Sequence, residues 1–394
     1  MISFDNTKVA FRYKTNSDLS RAFWLFRLMN NRYFVKVGKA FTNIALGLHF
    51  PVAWAIKPTL YKHFVGGETI EECIPTVRLL EKFKVGAILD YSVEGGKDAA
   101  TMDSTLAETM LTITNAADDP NISFAVFKPT AFASAETLEK ANSGLALSPQ
   151  VANEALKFKQ RVESLCQKAY KNDIPLMIDA EDSCYQSFVD QVVTEMMEKY
   201  NKEKAIVYNT LQMYRTDRLE FLKITLQHAI TGNYKVGIKF VRGAYMERER
   251  KRALEIGYTS PIHPDKNGTD QAYDEALTYS VEHIDHISIF NGTHNEKSNQ
   301  HLAGLMYKHG LAKNDSRIWF AQLYGMSDHI SFNLADSGYN VAKYIPYGPV
   351  KNILPYLIRR AEENTSIAGQ MGRELTLIVQ ERRRRRAKTI PQTG

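Results

Sequence analysis

The sequence predicts a (β/α)8 TIM-type barrel. From about residue 84 onward, eight short apolar runs alternate with longer amphipathic segments. Such alternation argues for a parallel sheet covered on both faces, and eight units argue for closure rather than an open sheet. The runs repeatedly end in ionisable residues, as expected where strand ends build a site. No G-x-G-x-x-G follows the first run, which counts against an open dinucleotide-binding sheet.

Residues 1–80 read as a helical segment. In SDLSRAFWLFRLMNNRYF, Leu19, Phe23, Leu25, Phe26, Leu28 and Met29 recur at helical spacing with no strand signal. Ala40–Ile56 is the longest stretch without Asp, Glu, Lys or Arg. Asn43, His49 and Pro51 interrupt it, so it reads as a buried helix or an interfacial patch, not a span. The barrel is expected over 81–380. Its strands are 85–92 (ending near Asp90 and Glu94), 122–128 (Lys128), 174–180 (Asp179, Glu181) and 205–210 (Gln212 just beyond). The other four are 236–241 (Lys239, Arg242), 286–290 (His294), 317–322 (Gln322) and 341–347 (Tyr344). Charged groups beside a core cost stability unless paired or used.

Residues 381–394 read as a basic tail. Arg382–Lys388 carries five arginines and one lysine, as many cations as the whole formal excess of +6. The remainder is near neutral, so a nucleic-acid-binding face is not expected. The tail is either the solvated end of a helix or an anchor for an anionic surface. Cys73, Cys166 and Cys184 form no C-x-x-C pair, which argues against a disulfide scaffold or zinc ribbon and for a reducing compartment. The start lacks the apolar run of a signal peptide, so a cytoplasmic enzyme is expected.

Three stretches carry chemistry. In KFVRGAY, a strand delivers Lys239 and Arg242 and turns at Gly243-Ala244, where small residues admit a ligand to the backbone. In YLIRRAEE, Tyr356, Arg359, Arg360 and Glu363 share one helix face, which reads either as a charged solvated face or as a fork suited to a carboxylate. In GTHN, Thr293, His294 and Asn295 place three hydrogen-bonding side chains after the sixth run. Asp179, Glu181 and Asp182 lack a nearby His or Cys at ligand spacing, so no metal is expected.

Together these pieces resemble the FAD-dependent proline dehydrogenases. LDYSVEG, FKPTAF, IDAEDS, YNTLQMY, KFVRGAY, GTHN, FAQLYGM, YIPYGP and YLIRRAEEN occur in the family's order between about residues 85 and 375. The resemblance implies a distorted barrel with FAD at the strand carboxyl ends and a last helix above it. It implies that Arg359 and Arg360 pair with the proline carboxylate, that Tyr344 and Tyr356 wall the ring, and that Lys128 and Tyr245 complete the pocket. Lys239 would lie near flavin N5 and Gln212 at the pyrimidine edge. Val241, Arg242, Gly243, Ala244 and Tyr245 would follow the pyrophosphate and ribityl chain, with Thr293, His294, Asn295, Gln322 and Leu323 on other parts of the cofactor. Asp179 would lie beneath the site, and Glu94 would pair with Arg359 when substrate is absent. Bacterial members often carry Arg at the position of Lys239 and a bulkier residue at that of Met246.

The implied reaction takes a hydride from C5 of proline to give Δ1-pyrroline-5-carboxylate, with electrons passed to a quinone and a pyrroline-5-carboxylate dehydrogenase downstream. The length leaves no room for a fused aldehyde dehydrogenase module, so the single-function form is expected. A quinone acceptor makes the 40–56 stretch and the arginine tail candidates for peripheral contact with the inner face of a membrane. Two rivals stand beside this reading. One is the same chemistry on hydroxyproline, which the bulk of Tyr344 disfavours. The other is a cofactor-free lyase using Lys128 or Lys239 as a Schiff-base amine.

Overall fold

The computed structural model describes residues 2–29, 57–92, 98–366 and 370–389. Eight parallel strands close on themselves in chain order: β1 (Gly86–Tyr91), β2 (Ile122–Phe127), β3 (Leu176–Ile178), β4 (Val207–Gln212), β5 (Val236–Val241), β6 (Ile287–Gly292), β7 (Ile318–Leu323) and β8 (Val341–Tyr347). β1 pairs with β8 along its whole length, from Gly86 opposite Ala342 to Tyr91 opposite Tyr347, and this seam closes the barrel. All eight expected strands are present. β3 is shorter than expected: Pro175 precedes it without an N–H to give, and the last bond to β2 runs from the Asp179 N–H to the Phe127 carbonyl at 2.9 Å.

Alternation along each strand sorts the side chains. Ile88, Phe124, Val126, Met177, Tyr208, Phe290 and Tyr344 fill the barrel interior. Phe124 meets Tyr208, Phe290 and Trp319 edge-on at 5.7, 5.0 and 5.4 Å, so the lumen is packed with rings rather than open. Ala87, Leu89, Ala125, Phe127, Leu176 and Ile178 face outward into the main core under the helices.

The helices follow their local signals. Ser148 caps the helix Pro149–Lys171 by accepting from the Val151 N–H, and Pro149 occupies the first turn, where its missing N–H costs nothing. The helix Met246–Ile256 ends at Gly257, whose φ of +85° suits a residue without Cβ.

At the N-terminus lie α1 (Thr7–Ala10), α2 (Asn16–Met29), a turn of π-helix (Lys57–Tyr61) running into Lys62–Phe64, and the helix Ile70–Glu81. At the C-terminus lie α14 (Val350–Ser366) and α15 (Gln370–Thr389). Phe11, Leu19, Phe26, Phe64, Ile353, Tyr356, Leu377 and Ile378 form a second core that joins the two ends of the chain. Arg359 and Arg360 therefore ride on the helix after β8, and one more helix follows.

α15 runs straight through residue 381. Glu381 is fully buried and accepts from Arg384 at 2.7 Å and Arg385 at 2.8 Å. Arg385 also donates to the carbonyls of Phe11 and Lys14, both at 2.8 Å. Arg382 lies over the Phe23 ring at 4.4 Å. Two arginines of the basic run, Arg382 and Arg385, thus clasp the N-terminal segment, Arg384 pairs within the helix, and Arg383 and Arg386 are exposed. Among the described residues no helix is long and apolar enough to cross a membrane. The 40–56 stretch and Glu94 lie outside the described residues.

Candidate active site at the carboxyl ends of the strands

A line of alternating charge crosses the mouth of the barrel. Asp90 at the end of β1 accepts from the Ser92 hydroxyl at 2.7 Å and from the Lys128 ammonium at 3.3 Å. Lys128 follows β2 and lies 3.6 Å from Asp179, just beyond β3. The other oxygen of Asp179 accepts from Lys239 of β5 at 2.6 Å. Lys239 in turn donates to the Tyr344 hydroxyl of β8 at 2.6 Å. Five strands contribute, and each side chain is buried or nearly so. Burial, with Asp179 and Asp90 as nearby anions, pushes the Tyr344 hydroxyl well above its usual pKa, so it stays a neutral phenol. Its oxygen also rests 3.7 Å from the Met177 sulfur beneath it.

Two cations and two carboxylates make this line neutral overall. It is an aligned, dry set of dipoles that can orient a small zwitterion without adding net charge. Asp90 was visible in the sequence only as a strand-end acid, and its pairing with Lys128 depends on adjacent strands of the closed sheet.

α14 brings the second group. Tyr356 and Arg360 are buried and Arg359 is half-buried. The Arg360 guanidinium lies over the Tyr356 ring at 5.1 Å, a cation–π contact that fixes the planes of both. The Glu363 side chain lies outside the described residues.

The third group lies at the ends of β5 and β6. Arg242 donates to Asp270 at 2.7 Å, to the Thr293 hydroxyl at 2.7 Å and to the Ser298 hydroxyl at 3.0 Å, and it stacks on Tyr273 at 4.4 Å. Next to it, Gly243 has φ +121°, and a Cβ there would come within 2.6 Å of the Tyr214 ring. Only glycine fits that turn. Ala244 and Tyr245 continue it into the helix Met246–Ile256, with Arg248 over the Tyr245 ring at 4.4 Å. Val241 ends β5 half-buried.

Several expected ligand residues have structural partners. Gln212 is the last residue of β4 rather than beyond it, and its amide N–H donates to the Glu181 carbonyl at 2.6 Å. Asn295 caps the helix Glu296–Lys308 by accepting from the Lys297 and Ser298 N–H groups. Gln322 donates to the Thr293 carbonyl at 3.1 Å and accepts from Ser331 at 2.6 Å. His294 bonds Ser327 at 2.9 Å, and burial, aided by Lys343, lowers its pKa to about 3, so the imidazole is neutral. Leu323 ends β7, half-buried against the interior cluster.

The residues present suit a phosphate-bearing flavin. Arg242 is a guanidinium held by three acceptors and a ring face, beside a glycine turn that allows close backbone approach. Lys239, Gln212 and Gln322 supply polar groups at the strand ends.

The family model described as proline dehydrogenase matches residues 73–373. The chain is 35% identical over 322 residues to the carbapenem antibiotics biosynthesis protein CarD of Pectobacterium carotovorum, covering 82% of this chain and 83% of that protein. It is 30% identical over 418 residues to the mitochondrial proline dehydrogenase 1 of Dictyostelium discoideum, covering 94% and 73%. Among solved structures, proline utilization A from Bdellovibrio bacteriovorus, inactivated by N-propargylglycine, matches with a TM-score of 0.71 at 20% identity. That match covers 93% of this chain and 36% of the solved one, so the chain spans about a third of that protein's length and the likeness shows the fold. With a barrel of this form and a family model matched across it, the chain belongs to the proline dehydrogenase family, oxidoreductases that act on the CH–NH group of proline in its catabolism.

Proposed function

We propose that this chain oxidises L-proline to Δ1-pyrroline-5-carboxylate with FAD, delivering the electrons to a quinone. The observation that supports the reading is the Asp90–Lys128–Asp179–Lys239–Tyr344 line at the carboxyl ends of the strands, with the Arg360–Tyr356 pair carried on α14, the helix that follows β8.

Each group has a part in that reaction. Arg359 and Arg360 bind the carboxylate, where a planar fork outperforms a point charge. Lys128, held by Asp90, adds a cation on the opposite side. The Tyr344 and Tyr356 rings close on the apolar edge of the pyrrolidine and exclude water. Tyr344 is held upright by Lys239, so it stands as a rigid wall where a ring hydroxyl would project; this favours proline over hydroxyproline. Bound FAD supplies the acceptor for the hydride lost from C5. The nitrogen must be an uncharged amine for that loss. Arg242, Thr293 and the Gly243 turn hold the phosphate-bearing part of the cofactor, and Lys239 lies at the redox-active ring.

A quinone in a bilayer requires the protein to visit the membrane surface. Trp24 and Leu28 of α2 are exposed, Arg27 lies over the Phe23 and Trp24 rings, Arg382 of α15 lies over Phe23 as well, and Arg383 and Arg386 of the same helix are exposed. Aromatic rings with arginines suit an anionic headgroup layer. The function is tested by reconstituting the protein with FAD and assaying proline-dependent reduction of a short-chain quinone, with trapping of the cyclic imine product. Quinone reduction without imine would refute the reaction.

A further inference from the structure

Behind the wall that Tyr344 forms, on the opposite face of β8, lies a buried ionic triad. Asp328 is fully buried at the start of the helix Asp328–Asp336, which follows β7. One of its oxygens accepts from the Tyr13 hydroxyl at 2.7 Å and pairs with Lys14 at 2.8 Å. The other lies 3.1 Å from Lys343 of β8. Lys343 also donates to the carbonyls of Leu323, at 3.3 Å, and Met326, at 2.5 Å. Its ammonium therefore spans the turn that leaves β7.

That turn is unusual in its backbone. Gly325 has φ +77°, and a Cβ there would come within 2.2 Å of the His63 carbonyl; Ser327 holds φ +51° without being glycine. His63 donates to the Gly325 carbonyl at 2.9 Å, and Glu374 of α15 accepts from the Ser327 N–H at 3.0 Å. Gln322 and Leu323 enter the turn, and the Ser327 hydroxyl bonds His294. A strained segment persists only where its surroundings over-determine it, and here the surroundings are one strand and both ends of the chain.

We propose that Lys14 is a positioning residue for the flavin site, acting through Asp328 and Lys343 on the turn Leu323–Ser327. With Lys14 present, two cations share the Asp328 carboxylate, and Lys343 can give its remaining donors to the turn. Without it, the buried carboxylate draws Lys343 toward itself, and the Leu323 and Met326 carbonyls lose their donor. The N-terminal segment, which contributes none of the eight strands of the closed barrel, is in this account part of the wall of the site. The inference rests on the proposed cofactor, and the test keeps the two apart.

FAD affinity is measured by fluorescence titration of apoprotein well below its melting temperature, together with that temperature. Lys14→Met is expected to raise the Kd for FAD about fivefold or more, and Lys14→Arg, which keeps the charge, to stay within about twofold of wild type. Arg78→Ala is the control. It breaks a pair with Asp119 outside the site and is expected to lower the melting temperature without moving the Kd. Tyr13→Phe removes one bond and no charge, and should move the Kd by about two- to threefold; it decides the matter if Lys14→Met does not fold. A wild-type Kd in Lys14→Met, or in Tyr13→Phe when only that variant folds, overturns the proposal. A wild-type protein that binds no FAD refutes the flavin reading instead.

Discussion

The ammonium of Lys239 lies 2.6 Å from the hydroxyl of Tyr344 and 4.3 Å from the centroid of its ring. One cation thus holds both the tip and the face of the same aromatic side chain. Asp179 holds Lys239 from the other side at 2.6 Å, so moving the Tyr344 ring would break contacts to a cation that is itself paired.

Substrate choice should follow from that rigidity. Tyr344→Ser removes the wall and leaves Lys239 with Asp179. Efficiency with L-proline is expected to fall, and the preference over trans-4-hydroxyproline to narrow by ~1–3 kcal/mol, the scale of a steric contact. Steady-state kcat/KM values for both substrates check this. An unchanged ratio would show that Tyr344 does not select.

The carboxylate fork predicts a separation of effects. Arg359→Met should raise the KM for proline by at least ~10-fold, since a charge-assisted bond contributes about 1.5–3 kcal/mol. FAD content should remain near wild type, because the group proposed to hold its phosphates is Arg242, on other elements of the barrel. Steady-state kinetics with a flavin absorbance spectrum report both quantities.

Much of this site is legible in the sequence, and the remainder has a physical reason for being hidden. Apolar runs at strand length alternating with amphipathic helices reveal all eight strands, since a doubly covered parallel strand has little choice of composition. Lys128, Lys239 and Tyr344 are legible because ionisable or polar groups at the ends of apolar runs are costly without a use. Asp90 is visible as an acid, but not as a partner of Lys128. Asn295, in GTHN, reads as one of three side chains offered to a ligand, and the structure finds it capping the helix Glu296–Lys308. The Tyr13–Asp328 bond spans 315 positions. No local pattern encodes a contact of that separation, so the triad and the clasp of Arg385 on the N-terminal segment appear only in three dimensions.

Acid should unfold this protein early. His63 and His294 are both partly buried, and burial, followed by a nearby lysine in each case, lowers their pKa from 6.5 to about 3. The unfolded chain takes up these protons below pH ~6.5 while the folded one does not, so stability falls as pH falls from there toward about 3. Two such groups imply a slope approaching ~2.7 kcal/mol per pH unit in the middle of that window. Urea midpoints between pH 7.5 and 5 should show the decline, and His294→Asn should flatten it. A flat profile would mean that one or both imidazoles are charged in the folded protein.

The arginine run should divide into two functions. Arg385→Ala removes bonds to Phe11, Lys14 and Glu381, and should lower unfolding stability by ~1.5–3 kcal/mol without altering lipid affinity. Replacing exposed Arg383 and Arg386 by Ala should do the reverse. At about 1 kcal/mol each near an anionic surface, their loss weakens binding to phosphatidylserine vesicles roughly thirtyfold at low salt. Vesicle sedimentation and urea unfolding of both variants check the division. If neither variant changes vesicle binding, the run is only a clasp.

The most direct test of the central claim is an anaerobic titration of the FAD-loaded protein with L-proline, followed by absorbance. The account predicts that the oxidised flavin bands bleach in proportion to added proline, with one cyclic imine trapped per flavin reduced, and that Arg359→Met needs far more proline for the same bleaching. Full retention of the oxidised spectrum at saturating proline, in protein that has bound FAD, would contradict it.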